Sequence, residues 1–190
     1  MYYNINMKKR SIRIYFNAPI TLLFVVICLF ALALNSYTGG RSNALIFSCY
    51  KSSWTDPLTY VRLICHVFGH QSINHLISNA LYILLLGPIL EEKYGSKLIF
   101  VIIVTAIITG ITHNFLSSDT ALLGASSIAF AFILLASFTG KNNGIPITFI
   151  LVAVLWLGSE IVNIFTADNI SQVAHIVGGL CGALLAFFLK

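Results

Sequence analysis

From Ile14 to Leu34 the chain holds no Asp, Glu, Lys or Arg, and five further runs, about 72–90, 97–116, 124–138, 145–164 and 169–189, are almost as free of charge. Runs of this kind admit few structures. In hydrocarbon no water can bond to peptide groups, so a segment must satisfy them internally, and a helix of about 20 residues spans a core about 30 Å thick. The expectation is an all-α polytopic membrane protein, six spanning helices forming one domain over residues 1–190. With 58% of its residues hydrophobic and 9% charged, the chain lacks the charged exterior of a soluble domain.

The segments between the runs carry turn chemistry: Glu91-Glu92-Lys93-Tyr94-Gly95-Ser96, Ser117-Ser118-Asp119-Thr120, Gly140-Lys141-Asn142-Asn143-Gly144 and Thr166-Ala167-Asp168. Residues 35–71 are longer and less apolar, and read as an interfacial loop. Asn17 and Pro19 are placed to start the tightly wound part of the first helix. With the N-terminus cytoplasmic, Lys8, Lys9, Arg10, Arg13, Lys93, Lys97, Lys141 and Lys190 fall inside and Arg41, Lys51 and Arg62 outside. This bias predicts a multi-pass protein of the cell membrane with both termini cytoplasmic. Lys8-Lys9-Arg10 ahead of an apolar run resembles the start of a signal peptide, but no small-x-small cleavage pattern follows Leu34, so the run is expected to remain as the first span.

The net charge of +5 does not indicate nucleic acid, because the basic residues are scattered over helix ends without a stripe or interleaved aromatics. Cys28, Cys49, Cys65 and Cys181 show no C-x-x-C spacing and predict no metal site. Cys49 and Cys65 share one external segment and are a candidate pair. No metal or organic cofactor is implied, and oligomeric state is not legible.

The fourth run is too short. Fifteen residues rise only about 22 Å, so its outer end, Gly124-Ala125-Ser126-Ser127, must begin inside the membrane, where irregular backbone is tolerated only against protein or a watery cavity. Counted from the cytoplasmic ends of their runs at about 1.5 Å per residue, Ser126 lies about 18 Å up, His175 about 21 Å, and Asn79 and His75 about 18 and 24 Å. These polar side chains share one layer. Singly each has a plainer reading: Ser126 as a helix N-cap, His175 as a packing residue, His75 and Asn79 as a polar seam between spans. Together they point to function, because polar groups at this depth cost free energy.

Amide cleavage requires a nucleophile, a base and donors for the developing oxyanion. Ser126 supplies the hydroxyl and His175 the base, while Asn79, His75 and the Ser126 backbone N–H are positioned to donate. No Asp or Glu is expected in the layer, with Glu160 assigned near the outer end of the fifth run, so a dyad is predicted. Packing must then hold the imidazole, and Phe130, one turn after Ser126, is the candidate. Gly178 and Gly182 give the sixth span a small-residue face that the fourth answers with Ala125 and Ala129.

Gly124-Ala125-Ser126-Ser127, His75-Leu76-Ile77-Ser78-Asn79 and Ala174-His175-Ile176-Val177-Gly178, in that topology, resemble the G-x-S-x, H-x-x-x-N and A-H-x-x-G-x-x-x-G signatures of rhomboid intramembrane proteases. Arg62, His66, His70 and the Glu92-Lys93-Tyr94-Gly95-Ser96 turn extend the likeness from about residue 60 to the end. Ser127 and Val61 differ from the residues usual at their positions. The resemblance implies a Ser126/His175 dyad, an oxyanion hole that includes His75 and Asn79, and hydrolysis of transmembrane protein substrates within membrane lipid. Two other readings are an inactive rhomboid-like protein that binds transmembrane clients and a small transporter. The transporter would spread ionisable residues through the depth.

Overall fold

A computed structural model describes residues 14–116, 120–138, 144–164 and 170–189, without the side chains of 163, 164, 170 and 171. The basic cluster at Lys8–Arg10, Arg13, Lys141, Lys190 and most of the turns expected near 117–119, 140–143 and 166–168 fall outside the described residues. The helices are α1 (Pro19–Tyr37), α2 (Pro57–Cys65), α3 (Ile73–Tyr94), α4 (Lys97–Leu116), α5 (Ser126–Ser137), α6 (Ile147–Ile164) and α7 (Ile170–Phe188). Among the described residues, α1, α3 and α4 are long and apolar enough to cross a membrane, while α5 and the described parts of α6 and α7 are apolar but shorter.

The outward faces are apolar. Leu81 and Leu85 on α3, Val154 and Leu155 on α6, and Leu184 and Phe188 on α7 are exposed, an arrangement stable against acyl chains and unstable against water. The centre belongs to α5, which packs against α3, α4, α6 and α7 and buries Ile128, Ala129, Ala131, Phe132, Leu134 and Leu135. Its 12 residues rise about 18 Å, too little to cross a hydrocarbon core about 30 Å thick. The short fourth run therefore folds as a short central helix.

The helical part of the first run begins at Pro19, as the placement of that proline suggested, because proline sets helical φ at a position whose N–H has no intrahelical partner. The segment 35–71 is more than a loop: it contains a π-helical turn at Asn43–Phe47, α2, and a 3-10 turn at His66–Phe68. Asp56 initiates α2 by accepting from Leu58 N–H at 3.0 Å, and its other oxygen receives Arg62 Nη1 at 3.1 Å. Arg62 is buried, donates from Nε to the Leu45 carbonyl at 3.0 Å and stacks over the Tyr50 ring at 4.6 Å. One guanidinium thus ties three parts of the segment together. All four cysteines are unpaired, so the Cys49–Cys65 pairing is not formed; Cys49 is buried, its thiol donating to the Gly110 carbonyl at 3.4 Å.

The first span is held to the third helix by a carboxylate. Glu91 is buried and receives Ile20 N–H at 2.8 Å, Thr21 N–H at 2.9 Å and the Thr21 hydroxyl at 2.8 Å. Amides at a helix start need acceptors, and a negative charge there is favoured by the helix dipole. Close packing makes the reach possible, since a side chain at Gly87, one turn before Glu91, would overlap Thr21. Replacing Glu91 with Ala should cost about 2–3 kcal/mol of stability, and Glu91→Gln less, read as a lowered thermal midpoint in detergent. An unchanged midpoint for both would show that the carboxylate contributes nothing to docking α1.

Candidate functional site

The backbone entering α5 is bonded to its neighbours almost residue by residue. Leu122 and Cys49 pair in both directions at 2.7 and 2.8 Å, and Gly124 N–H donates to the His66 carbonyl at 3.0 Å. Ala125 N–H donates to His70 Nε2 at 3.4 Å. The irregular stretch required at this depth is therefore satisfied by protein. Gly124 has φ +124°, and a Cβ there would approach the His75 ring to 2.8 Å. Both the backbone conformation and the space demand glycine at that position.

Ser126 is the first residue of α5, not its cap. The capping position is Ala125, whose side chain offers no hydrogen bond, so the helix start carries none of the side-chain acceptors that usually occupy first-turn amides. Ser126 lines a cavity of about 720 Å³ together with His75, Asn79, Phe130 and His175. The residues singled out in one layer by counting along the runs thus border one space. Ser72 caps α3, its hydroxyl accepting from His75 N–H at 3.2 Å, so that His75 sits in the first turn of that helix and Asn79 one turn further in.

Asn79 is buried and oriented by His70. The Nδ1 of His70 lies 3.1 Å from the Phe68 carbonyl, which can only accept, and its Nε2 lies 3.3 Å from the Asn79 amide nitrogen, which can only donate. One tautomer satisfies both: Nδ1 carries the proton, and bare Nε2 accepts from Asn79 and Ala125. His70 therefore steers the Asn79 amide and the entry to α5 with one ring, a role that its place in the sequence pattern did not disclose.

His175, on α7, has two neighbours. Its ring centroid is 4.4 Å from that of Phe130, which is itself 4.5 Å from Trp156. On the other side its Nδ1 lies 3.0 Å from Glu160 Oε2. The expectation of a layer without acidic groups is thus corrected. Glu160 stands thirteen residues along α6 from Ile147, a rise of about 20 Å, which is the depth of His175. The residue count fixes that depth but not which way the carboxylate faces.

The glycine face also differs in partner. Side chains at Gly178 and Gly182 would overlap the backbones of Ser127 and Ala131 respectively, rather than meeting Ala125 and Ala129. Ala125 and Ala129 are buried too, but on another side of α5. Ser127 is buried, its hydroxyl has no hydrogen-bond partner among the described residues, and its backbone is what a side chain at Gly178 would strike. Val61 is 41% exposed and makes no part of the cavity lining.

Residues 57–190 match the family model described as the Rhomboid domain. The chain is similar to the Rhomboid protease GlpG of Yersinia pestis (strain Pestoides F), 27% identical over 176 residues that cover 90% of this chain and 62% of that protein. It is similar also to the Rhomboid protease GlpG of Serratia proteamaculans (strain 568), 29% identical over 180 residues with the same coverage. The chain spans about 62% of the length of these relatives.

Burial pushes the imidazoles of His66 and His70, both between α1 and α3, down from the ordinary 6.5 to about 4. The folded protein therefore keeps both neutral where the unfolded chain takes up protons, and stability falls as pH drops from about 6.5 toward 4. A thermal midpoint followed over that range should decline steadily, and His70→Gln should flatten part of the decline. A midpoint independent of pH would show that neither ring is shielded.

Proposed function

The chain belongs to the rhomboid family, and from that premise we propose that it is an intramembrane serine endopeptidase hydrolysing peptide bonds in or beside transmembrane segments of other membrane proteins. The observation that carries this reading is the single cavity bordered by Ser126, His175, His75 and Asn79 at the sunken start of α5. The names of the relatives, each a rhomboid protease, point the same way.

Ser126 Oγ adds to the scissile carbonyl carbon while its proton passes to His175 Nε2, and the carbonyl electrons move onto oxygen. That oxygen is met by Asn79, His75 and the Ser126 backbone N–H. The helix dipole of α5, positive at this end, favours the same charge. Collapse breaks the C–N bond, and the proton on His175 goes to the leaving amine. Water then attacks the acyl-enzyme, passing a proton through His175 back to Ser126 and releasing the new carboxyl group. A cavity within the bilayer gives water and a destabilised substrate helix a common meeting place.

The excess of Lys and Arg on one set of segments supports cytoplasmic termini and a cell-membrane location. The rival reading, a client-binding protein without activity, requires Ser126 and His175 to border the cavity without reacting. Labelling by a fluorophosphonate, abolished in Ser126→Ala, separates the two.

Incubation with a single-span substrate of weakened helicity, its cut mapped by mass spectrometry, tests the proposal directly. Ser126→Ala and His175→Ala should each abolish cleavage while the protein stays folded, and Asn79→Ala should slow it about a hundred- to a thousandfold without abolishing it, as for loss of one oxyanion donor. Undiminished cleavage by either of the first two variants would refute the assignment.

A further inference from the structure

The carboxylate of Glu160 is an expensive group to keep at membrane depth, and it has one evident employment. It is 8% exposed, and its Oε2 lies 3.0 Å from Nδ1 of His175. It does not line the cavity that His175 borders, so it stands behind the imidazole. Phe149, Val152, Ala153 and Trp156 share its face of α6 by three- and four-residue spacing, all at least half-buried. Trp156 fixes the register of that face, its ring resting where a side chain on Gly179 of α7 would be, and Phe130 bridges Trp156 to His175. The α6 face that carries Glu160 is therefore seated by packing one turn before the pair it makes.

The geometry points to Glu160 as a positioning residue that converts the dyad of the proposed reaction into a hydrogen-bonded triad. A carboxylate can only accept, so it requires the proton of neutral His175 to sit on Nδ1, which leaves the Nε2 lone pair free on the other side of the ring. When Nε2 takes the proton of Ser126, the imidazolium carries a proton on each nitrogen and Glu160 keeps accepting from Nδ1, its charge now opposite that of the ring. No proton moves to the carboxylate at any step. Packing against Phe130 alone limits the tilt of the ring, but it does not choose between the two nitrogens.

This inference rests on the protease reading, and the test separates the two. Glu160→Gln retains size and hydrogen-bonding capacity but allows the amide to donate to Nδ1, favouring the wrong tautomer. It should lower kcat by at least about tenfold with KM within about threefold, and slow fluorophosphonate labelling of Ser126 in parallel. Glu160→Asp should recover part of the loss, and Glu92→Gln, which removes an exposed carboxylate of α3, should leave kcat unchanged. The pair has its own signature, a strongly deshielded Nδ1 proton in the NMR spectrum of wild type and of Ser126→Ala, missing from Glu160→Gln and His175→Ala. That resonance is read without any cleavage, so failure of the protease reading leaves it intact. Full kcat in a folded Glu160→Gln, or absence of the resonance from wild type and Ser126→Ala, would overturn the assignment; should Glu160→Gln misfold, the resonance alone decides.

Discussion

Everything at the candidate site depends on how closely α7 lies against α5. Gly178 and Gly182 offer no side chains where the backbones of Ser127 and Ala131 stand, and two helices can meet at backbone distance only where such residues face each other. His175 lies one turn ahead of Gly178 on the same face of α7. The contact that excludes side chains therefore also brings the imidazole to Phe130 and to the cavity that Ser126 borders. Helix packing and the shape of the cavity are set by one surface, and a larger residue at either glycine would disturb both.

The second condition is that polar groups at this depth find partners within the protein. Leu122, Gly124 and Ala125 would each present an unpaired amide to the membrane interior, but Cys49, His66 and His70 accept from them. The segment between α1 and α3 is consequently more than a surface connection. Arg62 holds it in shape through Asp56, Leu45 and Tyr50, and it in turn holds the approach to α5 and the amide of Asn79. Ser52 N–H, bonded to Asn114 at 2.8 Å, secures the same segment to the end of α4. A loop that looks peripheral in the chain thus frames the cavity.

Most of the helical layout was readable from hydropathy, because a helix that faces acyl chains must be apolar over its length whatever it packs against. The shortness of α5 was also readable, as a count of residues, and it led to the layer of Ser126, His75, Asn79 and His175. Contacts between helices were less legible. Small residues at four-residue spacing announce a close face, but not which face of the partner answers: Ala125 and Ala129 fit the spacing as well as Ser127 and Ala131, whose backbones stand at the contact. Glu160 escaped for a different reason. Its depth equals that of His175, yet pairing depends on the rotation of α6 about its axis, which the packing of Trp156 on Gly179 determines and no single run displays. His70 was visible as part of a pattern, but its tautomer follows only from the two partners on either side of the ring.

The clamp of Glu91 on the start of α1 carries a consequence for biogenesis. Thr21 and the carboxylate that receives its amide are 70 residues apart, so the first span leaves the ribosome long before its acceptor exists. Until α3 is made, the amides of Ile20 and Thr21 must borrow water or lipid headgroups, and α1 waits as an undocked anchor at the membrane border. Completion of α3 releases those temporary partners, and insertion of the second long helix thereby becomes the event that seats the first.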